Sequence, residues 1–295
     1  MVMQLNKLFS IRAGHLNERI KVVGAVMLLL LLCAGPARAQ VTFDVIGPHE
    51  YDLPTNFAKP FNIFVQYVES QSTSKIWDAN KGKQTVSKTS VLVGLTKYVR
   101  LWTLDTNPDI GLAWEVIVPE IGVRNNAANT STGGFGDPLI GPVIWYKPTA
   151  NVTLGALALV TPPVGDPDVG GGDQFTYHLT PFWHVQAGKL AYTGQVGAKI
   201  FGHSSKLDGK QGNLIYTNHR FGYRVTELFE PFLSLDHETQ SSSSVNLKSS
   251  ESVVGIGAMF HYYGNQSLTF RYASGVAGKN HSLTNIFNIK YVYVF

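Results

Sequence analysis

The chain has 295 residues and a formal net charge of +4, but the excess charge is confined to its first 39 residues. These hold five basic residues and one acidic residue, which leaves 19 of each sign in residues 40–295. This balance excludes the clustered basic surface that nucleic-acid binding requires. The only cysteine, Cys33, also lies in the first 39 residues, so the rest of the chain has neither a disulfide nor a thiolate metal site.

Residues 1–39 have the order of a secretory signal peptide. The apolar run Val22–Leu32 follows several basic residues and precedes Ala37-Arg38-Ala39. Its length is well below the roughly 20 residues that cross a bilayer as a helix, so we predict cleavage before Gln40. A lipoprotein leader that uses Cys33 is the alternative, and it is disfavoured because the preceding residue is a leucine rather than a small residue. After this cleavage the remaining chain has no helix that could cross a bilayer, so it could span a membrane only as a β-barrel.

Residues 40–57 are predicted to form an extended periplasmic segment, since Gly47-Pro48 and Leu53-Pro54 interrupt any regular element. Whether this segment enters the following domain as a plug is left open at this point.

Residues 58–295 are predicted to consist of twelve strands. The last segment shows the strand period of two most clearly, because apolar and aromatic residues fall on one face and more polar residues on the other. The first face holds Phe287, Ile289, Tyr291, Tyr293 and Phe295, and the second holds Asn288, Lys290, Val292 and Val294. Two strands are ambiguous: 89–103, where Lys97 breaks the phase, and 151–161, where both faces are apolar. The twelve predicted strands are 58–69, 89–103, 109–120, 137–147, 151–161, 173–186, 189–201, 213–225, 228–238, 251–263, 267–274 and 284–295.

Short and long connections alternate between these strands. The short ones are 104–108, 148–150, 187–188, 226–227 and 264–266, and the long ones are 70–88, 121–136, 162–172, 202–212, 239–250 and 275–283. Bacterial outer-membrane barrels have this alternation and an even number of strands. Only 15% of the residues are charged, too few to cover a soluble barrel or sandwich. We therefore predict an all-β chain, a transmembrane antiparallel up-and-down β-barrel of about 12 strands in the bacterial outer membrane. Lipid and lipopolysaccharide would surround it, and both termini would lie in the periplasm.

Several short motifs in this region resemble a known family. They are Gly134–Pro142 (GFGDPLIGP), Leu159–Asp166 (LVTPPVGD), Phe221–Thr226 (FGYRVT) and the tail from Ser252 to Phe295. In order and spacing they are similar to the meta-pathway phenol-degradation family of bacterial outer-membrane β-barrel proteins, well over 130–295 and loosely over 58–130. The resemblance implies a channel for uptake of small hydrophobic or aromatic compounds, and it implies no catalytic residue. The terminal Phe295, with Tyr293 and Tyr291 before it, also resembles the assembly signal for the barrel-assembly machinery.

Polar residues on the inward phase of the strands are candidate lumen or permeation residues, because barrel lumens are polar. One alternative is a charged constriction in a permeation path, and the other is a salt-bridged plug that fills the lumen. His178 and His184 lie six residues apart on one strand, about 20 Å, so they cannot share a metal ion. The full set of candidates is Arg220, Arg224, Arg271, Lys290, Glu115, Glu230, Asp236, His178 and His184.

Other chemistry has weaker signals. The carboxylates Asp166, Asp168 and Asp173 lie in a Gly-rich loop that could bind calcium, but their spacing favours a solvated turn. We predict no metal and no cofactor. An outer-membrane hydrolase of the phospholipase type would use His219 or His261, but no nucleophile motif accompanies either residue. We therefore predict that the chain is not an enzyme, and a non-conducting structural barrel remains the other alternative.

Overall fold

The computed structural model describes residues 47–295, which are strands and their connections apart from one 3-10 turn at Pro167–Val169. The predicted signal peptide and residues 40–46 lie outside the described residues. Within the described part, no helix is long and apolar enough to span a bilayer. The strands are β1 (Phe61–Trp77), β2 (Lys83–Leu104), β3 (Asn107–Asn125), β4 (Thr130–Phe135), β5 (Leu139–Thr149), β6 (Val152–Thr161), β7 (Thr176–Ala187), β8 (Leu190–Phe201), β9 (His203–Ser204), β10 (Gly209–Lys210), β11 (Leu214–Tyr223), β12 (Phe229–Gln240), β13 (Ser249–Tyr263), β14 (Gln266–Lys279) and β15 (His281–Val294).

The strands close into a barrel. Each strand of the main sheet pairs antiparallel with its neighbours, and β1 pairs with β15 from Ile63 opposite Val294 to Trp77 opposite His281. The short strand β4 and the strand β5 both pair with β3, so they are two halves of one barrel strand. The 13-stranded sheet therefore gives twelve strands around the barrel, as predicted. Closure pairs the first strand of the barrel with the last, which satisfies the requirement that backbone crossing lipid has no open sheet edge.

The outward face of the barrel is apolar. Large hydrophobic side chains on alternate positions of successive strands are about half exposed, among them Leu154, Leu179, Leu233, Ile256, Tyr272 and Phe287. In water this belt would be a continuous apolar patch around the whole molecule. In a bilayer it meets the hydrocarbon, so the surface is that of a membrane-embedded barrel.

Short turns and longer connections lie at opposite ends of the barrel. The connections 105–106, 150–151, 188–189, 224–228 and 264–265 form the short-turn end, where β1 begins and β15 ends. The opposite end, called here the long-loop end, carries the others, including the small β9–β10 hairpin.

Three of the predicted long loops are largely strand, which corrects the sequence-based boundaries. Most of 70–88, 121–136 and 275–283 continues the antiparallel pairing, and only 78–82, 126–129 and Asn280 separate the strands there. Polar residues and glycines predominate in these segments, so the alternation of polar and apolar side chains is weak there. The backbone pairing nevertheless continues from the membrane-spanning part of each strand.

Candidate functional site: the barrel lumen

The inward face of the barrel is divided into a polar wall and an apolar wall. The polar wall is formed mainly by β7, β8, β11, β12, β14 and β15, together with Glu69 and Gln71 of β1. The apolar wall is formed by β2, β3, β5 and β6, whose buried inward side chains include Val91, Val93, Leu95, Val99, Leu101, Ala113, Ile117, Val143, Trp145, Leu157 and Leu159. A polar lumen was expected, but four of the twelve strands present an apolar inward face. Both strands that were ambiguous by sequence lie in the apolar wall, which explains why both faces of 151–161 are apolar. In 89–103 the phase is broken by Lys97, which pairs with Glu115.

Asp236 is the centre of the polar wall. Its Oδ1 accepts hydrogen bonds from Nη1 of Arg220 at 2.6 Å and from Nδ2 of Asn218 at 2.7 Å. Its Oδ2 accepts a short hydrogen bond from Nη2 of Arg271. Both guanidinium groups are almost completely buried. Three of the predicted candidates therefore form one ion cluster across β11, β12 and β14.

The hydrogen bonds of this cluster continue along the barrel wall in two directions, through side chains of neighbouring strands. Arg271 donates to Ser234 Oγ at 2.9 Å and to Asn288 Oδ1 at 3.2 Å, and Asn288 donates to Glu69. On the other side, Asn218 accepts from Gln195 at 2.6 Å. Glu69, Gln195 and Asn288 were not among the predicted lumen residues, although each lies on the inward phase of its strand and could have been found by the same criterion.

A second group of charged side chains lies near the short-turn end. Glu230 is fully buried and contacts Nε of Arg224 at 3.2 Å, Nε2 of His261 at 3.2 Å and Nε2 of His49 at 2.9 Å. The side chain of Arg224 is 35% exposed, unlike that of Arg220. The structure therefore brings Arg224 and Glu230 together, away from the Asp236 cluster.

Residues 47–57 lie against the inward side chains at this end. Tyr51 stacks on Phe182 with ring centroids 4.0 Å apart and donates a hydrogen bond to Gln195. The backbone oxygen of Pro54 accepts a hydrogen bond from Nε1 of Trp145 at 2.9 Å. Asp52 contacts Lys147 Nζ at 2.8 Å. The segment thus has specific partners on both walls.

Glu50 of this segment is paired with a predicted lumen residue. Its carboxylate accepts hydrogen bonds from Lys290 Nζ at 2.6 Å and from Tyr67 at 2.8 Å. Burial by itself would raise the pKa of Glu50, but the charges of Lys290 and Lys97 hold it below its ordinary value. Glu115, another predicted lumen residue, pairs separately with Lys97 at 2.8 Å. Lys97, which broke the predicted phase, is therefore a lumen residue with an ionic partner.

His49 has carboxylates on both sides of its ring. Nδ1 lies 3.5 Å from Asp52 Oδ2, and Nε2 contacts Glu230. Burial by itself would lower the pKa of His49, but the hydrogen bonds to Asp52 and Glu230 and their negative charges raise it above 6.5. Burial would likewise raise the pKa of Asp52, but hydrogen bonds with His49 and Lys147 keep it well below its usual range. Neither His49 nor Asp52 was singled out by sequence, because contacts between residues 47–57 and the barrel carry no local pattern.

His178 and His184 both point into the lumen and do not meet. His178 Nε2 lies 3.2 Å from the hydroxyl of Thr161, whereas His184 Nδ1 lies 2.8 Å from the hydroxyl of Thr193. Their surroundings are also different, because only His184 lies close to residues 47–57.

A cavity of about 290 Å³ lies between the apolar wall and residues 49–54. Its lining includes Val99, Leu101, Ala113, Val143, Trp145 and Leu157, with Glu50, Lys97, Glu115 and Lys290 among its charged members. The cavity is therefore lined mainly by apolar side chains, and the ion pairs Lys97–Glu115 and Lys290–Glu50 also face it.

A second cavity, also of about 290 Å³, lies at the short-turn end. The connection between β13 and β14 lines it through Tyr263, Gly264, Asn265 and Gln266. His49 and Asp52 line both cavities, so residues 47–57 lie between the two spaces.

The carboxylates of the Gly-rich loop do not meet in one place. Asp166 Oδ2 accepts a hydrogen bond from the backbone N–H of Phe135 at 2.6 Å, and Asp137 Oδ1 accepts from those of Gly165 and Gly172 at 2.7 and 2.9 Å. These bonds fasten the first two family-like motifs to each other at the long-loop end. Asp173 instead accepts hydrogen bonds from Ser204, Ser205 and the backbone N–H of Lys206. The motifs therefore have a structural role in the loops at this end.

The comparisons with known proteins agree with this architecture. The family model described as "Putative MetA-pathway of phenol degradation" matches residues 73–291. A crystal structure of an outer-membrane channel from Pseudomonas putida F1 is 18% identical, with a TM-score of 0.75 over 85% of this chain and 100% of that chain. The translocator domain of the autotransporter NalP from Neisseria meningitidis is 10% identical, with a TM-score of 0.51 over 81% of this chain and 89% of that chain. No curated protein gives a sequence match.

At these identities the solved structures establish the fold alone, whereas the family model covers most of the chain. The barrel, its apolar outer belt and the motifs at 134–142 and 159–166 agree with that match. The chain therefore belongs to the family described as the MetA-pathway of phenol degradation, and its fold is a twelve-stranded outer-membrane β-barrel.

Proposed function

We propose that this protein is an outer-membrane channel for the uptake of small hydrophobic solutes, with single-ring aromatic compounds as the substrate class. The family description connects the chain with phenol degradation. The observation that carries the proposal is the apolar wall of the lumen. A barrel that only had to be filled, or that passed ions, would have no need for such a wall, because polar lumens are usual in porins.

The apolar wall is long enough to guide a solute through the membrane. On β2 alone, buried apolar side chains recur from Val91 to Leu101, about 33 Å along the strand. The apolar band of a bacterial barrel is about 25 Å tall. Lys97 and its partner Glu115 are the charged interruption of this wall.

The cavity beside the wall has room for such a solute. An apolar cavity of about 150 Å³ is sufficient to bind benzene, and this one is about 290 Å³. It adjoins the second cavity at His49, Asp52 and Met259, which line both. We propose that a solute moves along the apolar wall into the first cavity and leaves through the second at the short-turn end.

A substitution that fills the first cavity tests this route. Leu157 is 3% exposed and lines the cavity, whereas Leu154 on the same strand is 49% exposed on the lipid side. We expect Leu157→Trp to reduce uptake of a radiolabelled monoaromatic compound by cells, and Leu154→Trp to leave it unchanged. Heat-modifiable migration on gels establishes that each variant has assembled. Equal uptake by the two assembled variants would contradict the route.

The polar wall is proposed to set the electrostatic character of the path. Arg220 and Arg224 would favour anionic or electron-rich solutes, and Arg271, Lys290, Glu115, Glu230, Asp236, His178 and His184 would complete the lining. The double substitution Arg220→Ala and Arg224→Ala is expected to alter conductance or ion selectivity in planar bilayers. An assembled double variant with unchanged conductance and selectivity argues against a permeation role. Failure to assemble would assign these arginines to the filled core.

A hydrolase is the second candidate, because one Ser–His pair lies on the outer wall. The Nδ1 atom of His237 is 2.9 Å from the hydroxyl of Ser252, and both are at least partly exposed. Among residues 47–295, no carboxylate pairs with His237 to orient its ring, as a catalytic triad requires. We therefore propose that the chain is not an enzyme. Covalent labelling of Ser252 by a serine-reactive phosphonate in the wild type, lost in His237→Asn, would overturn this assignment.

A non-conducting structural barrel would differ from the channel in one measurement. Deletion of residues 47–57 removes Tyr51, Asp52 and Pro54 from the lumen, so a channel should conduct more strongly without them. A deletion variant that assembles but neither conducts nor takes up aromatic solutes would favour the structural barrel.

A further inference from the structure

Three side chains at the short-turn end have the ligand types and the spacing of a metal site. His49 and Asp52 come from residues 47–57, and His184 comes from β7. Asp52 Oδ2 lies 3.5 Å from His49 Nδ1 and 3.8 Å from His184 Nε2, and all three ligand atoms lie within 4.8 Å of one another. In a tetrahedral zinc site with bonds of about 2.0–2.1 Å, ligand atoms are separated by about 3.3 Å. Small movements of the side chains would therefore bring the three atoms to ligand distance.

The other ring nitrogen of each histidine already has a hydrogen-bond partner. His49 Nε2 donates to Glu230 at 2.9 Å, which leaves Nδ1 with a lone pair when the ring is neutral. His184 Nδ1 lies 2.8 Å from the Thr193 hydroxyl, so a proton on Nδ1 leaves the lone pair on Nε2. Histidine ligands of metal ions are usually held in this way by a carboxylate or another acceptor.

The hydrogen bonds of His184 and Asp52 direct the remaining atoms toward each other. His184 is 0% exposed, and its Nε2 has no hydrogen-bond partner among residues 47–295. A buried nitrogen in this state is unfavourable unless something binds it. Lys147 Nζ contacts Asp52 Oδ1 at 2.8 Å, which leaves Oδ2 facing the two histidines.

The neighbouring histidine group has a different geometry. His49 Nε2 lies 2.9 Å from Glu230, a hydrogen-bond distance, and the Nε2 of His261 already lies 2.8 Å from Nη2 of Arg224. Glu230 is therefore better described as the carboxylate that holds the His49 ring. The cavity of about 290 Å³ lined by His49, Asp52 and the β13–β14 turn gives an ion access from the short-turn end.

We propose that His49, Asp52 and His184 bind a divalent transition-metal ion of the zinc class, and that this ion fastens residues 47–57 to the barrel wall. Two imidazoles and one carboxylate suit zinc, whereas calcium prefers six to eight oxygen ligands. Ligands from the segment and from β7 are joined only when the segment is docked. The ion therefore stabilises the docked state by its binding free energy.

Zinc binding to the purified, folded full-length mature chain without an affinity tag tests the site. We expect one equivalent of Zn²⁺ by isothermal titration calorimetry in detergent, and no comparable binding of Ca²⁺. The variants His49→Asn and His184→Asn should lose it. His178→Asn is the matched control, because His178 is also buried on β7 but lies outside the group, and it should bind like the wild type. Glu230→Gln should weaken binding by about 10–100-fold, as loss of such a supporting carboxylate typically does.

The absence of stoichiometric binding by the wild type, or equal binding by His184→Asn and His178→Asn, would overturn the site. Heat-modifiable migration excludes misfolding as the cause of a loss. The fastening is tested separately by amide hydrogen exchange of residues 48–57. Zn²⁺ should slow this exchange in the wild type and a chelator should restore it, with neither effect in His184→Asn. Exchange that does not respond to Zn²⁺ would contradict the fastening. Neither measurement depends on whether the barrel conducts aromatic solutes.

Discussion

At the scale of single residues, Asp236 has the greatest influence on the lumen. One carboxylate lies between two buried guanidinium groups, those of Arg220 and Arg271, and it also accepts from Asn218. A buried ion pair contributes little compared with apolar packing of the same volume, but the loss of one partner leaves an uncompensated charge. Here the loss of Asp236 would remove a carboxylate partner from two buried guanidinium groups at once.

We expect Asp236→Ala to lower the free energy of unfolding by at least about 3–5 kcal/mol, the range for breaking a buried pair. Urea denaturation of the barrel in lipid vesicles measures it. Asp168→Ala is the control, because Asp168 is exposed in the loop after β6 and its loss should change stability by no more than about 0.5 kcal/mol. Equal midpoints for the two variants would show that Asp236 is not needed to hold the guanidinium groups.

Asp173 gives a pH dependence at the long-loop end. Burial by itself would raise its pKa, but hydrogen bonds from Ser204, the Lys206 backbone and Ser205 lower it below its ordinary value of 3.8. Its contribution to holding the β9–β10 hairpin is therefore present above that ordinary value and is lost as the pH falls through the lower, folded-state value.

The expected result is a Lys206 amide that is protected at neutral pH and loses its protection in acid, at a pH below 3.8. Hydrogen exchange measures this relative to Asp173→Ala, which has no side-chain acceptor and should lack the protection already at neutral pH. A Lys206 amide that is equally protected in the two proteins at neutral pH would contradict this role of Asp173.

The inward orientation of these side chains was predictable from the sequence, but their hydrogen-bond and ion-pair partners were not. The alternation along 213–225 places Asn218 and Arg220 on one face, and both are buried in the lumen. The same pattern cannot indicate that Arg220 meets Asp236 while Arg224 meets Glu230, because the partner depends on the stagger between strands. His49 and Asp52 were missed altogether, since they lie outside any strand.

At the scale of elements, the pairing of β3 with β5 positions the aromatic anchor of residues 47–57. Trp145 lies directly over Gly111 on the neighbouring strand, and its indole N–H donates to Pro54. A Cβ at position 111 would lie 2.0 Å from the Trp145 ring, so only glycine allows this close approach.

Gly111→Ala is therefore expected to displace Trp145 and to destabilise the barrel by about 1–3 kcal/mol, the usual cost of overpacking. The hydrogen bond to Pro54 should be lost, and the amides of residues 48–57 should exchange faster. Gly122→Ala on the same strand is the control, because the nearest atom to a Cβ there is 3.9 Å away. If both variants exchange at the same rate, Trp145 does not anchor the segment.

The number and the order of the barrel strands were predictable from the sequence, whereas the lengths of the strands were not. The alternation of apolar and polar side chains in a barrel strand depends on its lipid-facing side, and in β1 it fades after Gln71. Pairing continues past that point because backbone hydrogen bonds do not depend on side-chain polarity. For the same reason the polar residues 83–88 at the start of β2 were predicted to be loop.

At the scale of the whole molecule, the last residue completes the barrel. The backbone N–H of Phe295 donates to Asn62 O at 2.9 Å, and Asn62 N–H donates to Phe295 O at 2.8 Å. Its ring stacks on that of Tyr293 with centroids 5.4 Å apart. Tyr291 donates a hydrogen bond to Gln266 at 2.8 Å. The proposed recognition of these aromatic residues by the barrel-assembly machinery would be a second role, besides their part in the pairing of β15 with its neighbours.

We expect deletion of Phe295 to reduce the amount of heat-modifiable protein in the outer membrane while export across the inner membrane continues. Immunoblots of separated membrane fractions measure both. Phe295→Tyr is the control, since it preserves the backbone pairing and an aromatic ring and should assemble normally. Undiminished assembly of the deletion variant would argue against Phe295 as an assembly signal.

The seam between β1 and β15 has a consequence for biogenesis. Ile63 pairs with Val294, so the first strand must wait for the last before its outer edge is satisfied. Until β15 pairs with β1, the sheet therefore has two open edges that could pair with another copy, which is a route to aggregation. The two edges that most need protection from such pairing are therefore those of β1 and β15, which lie at opposite ends of the barrel sequence.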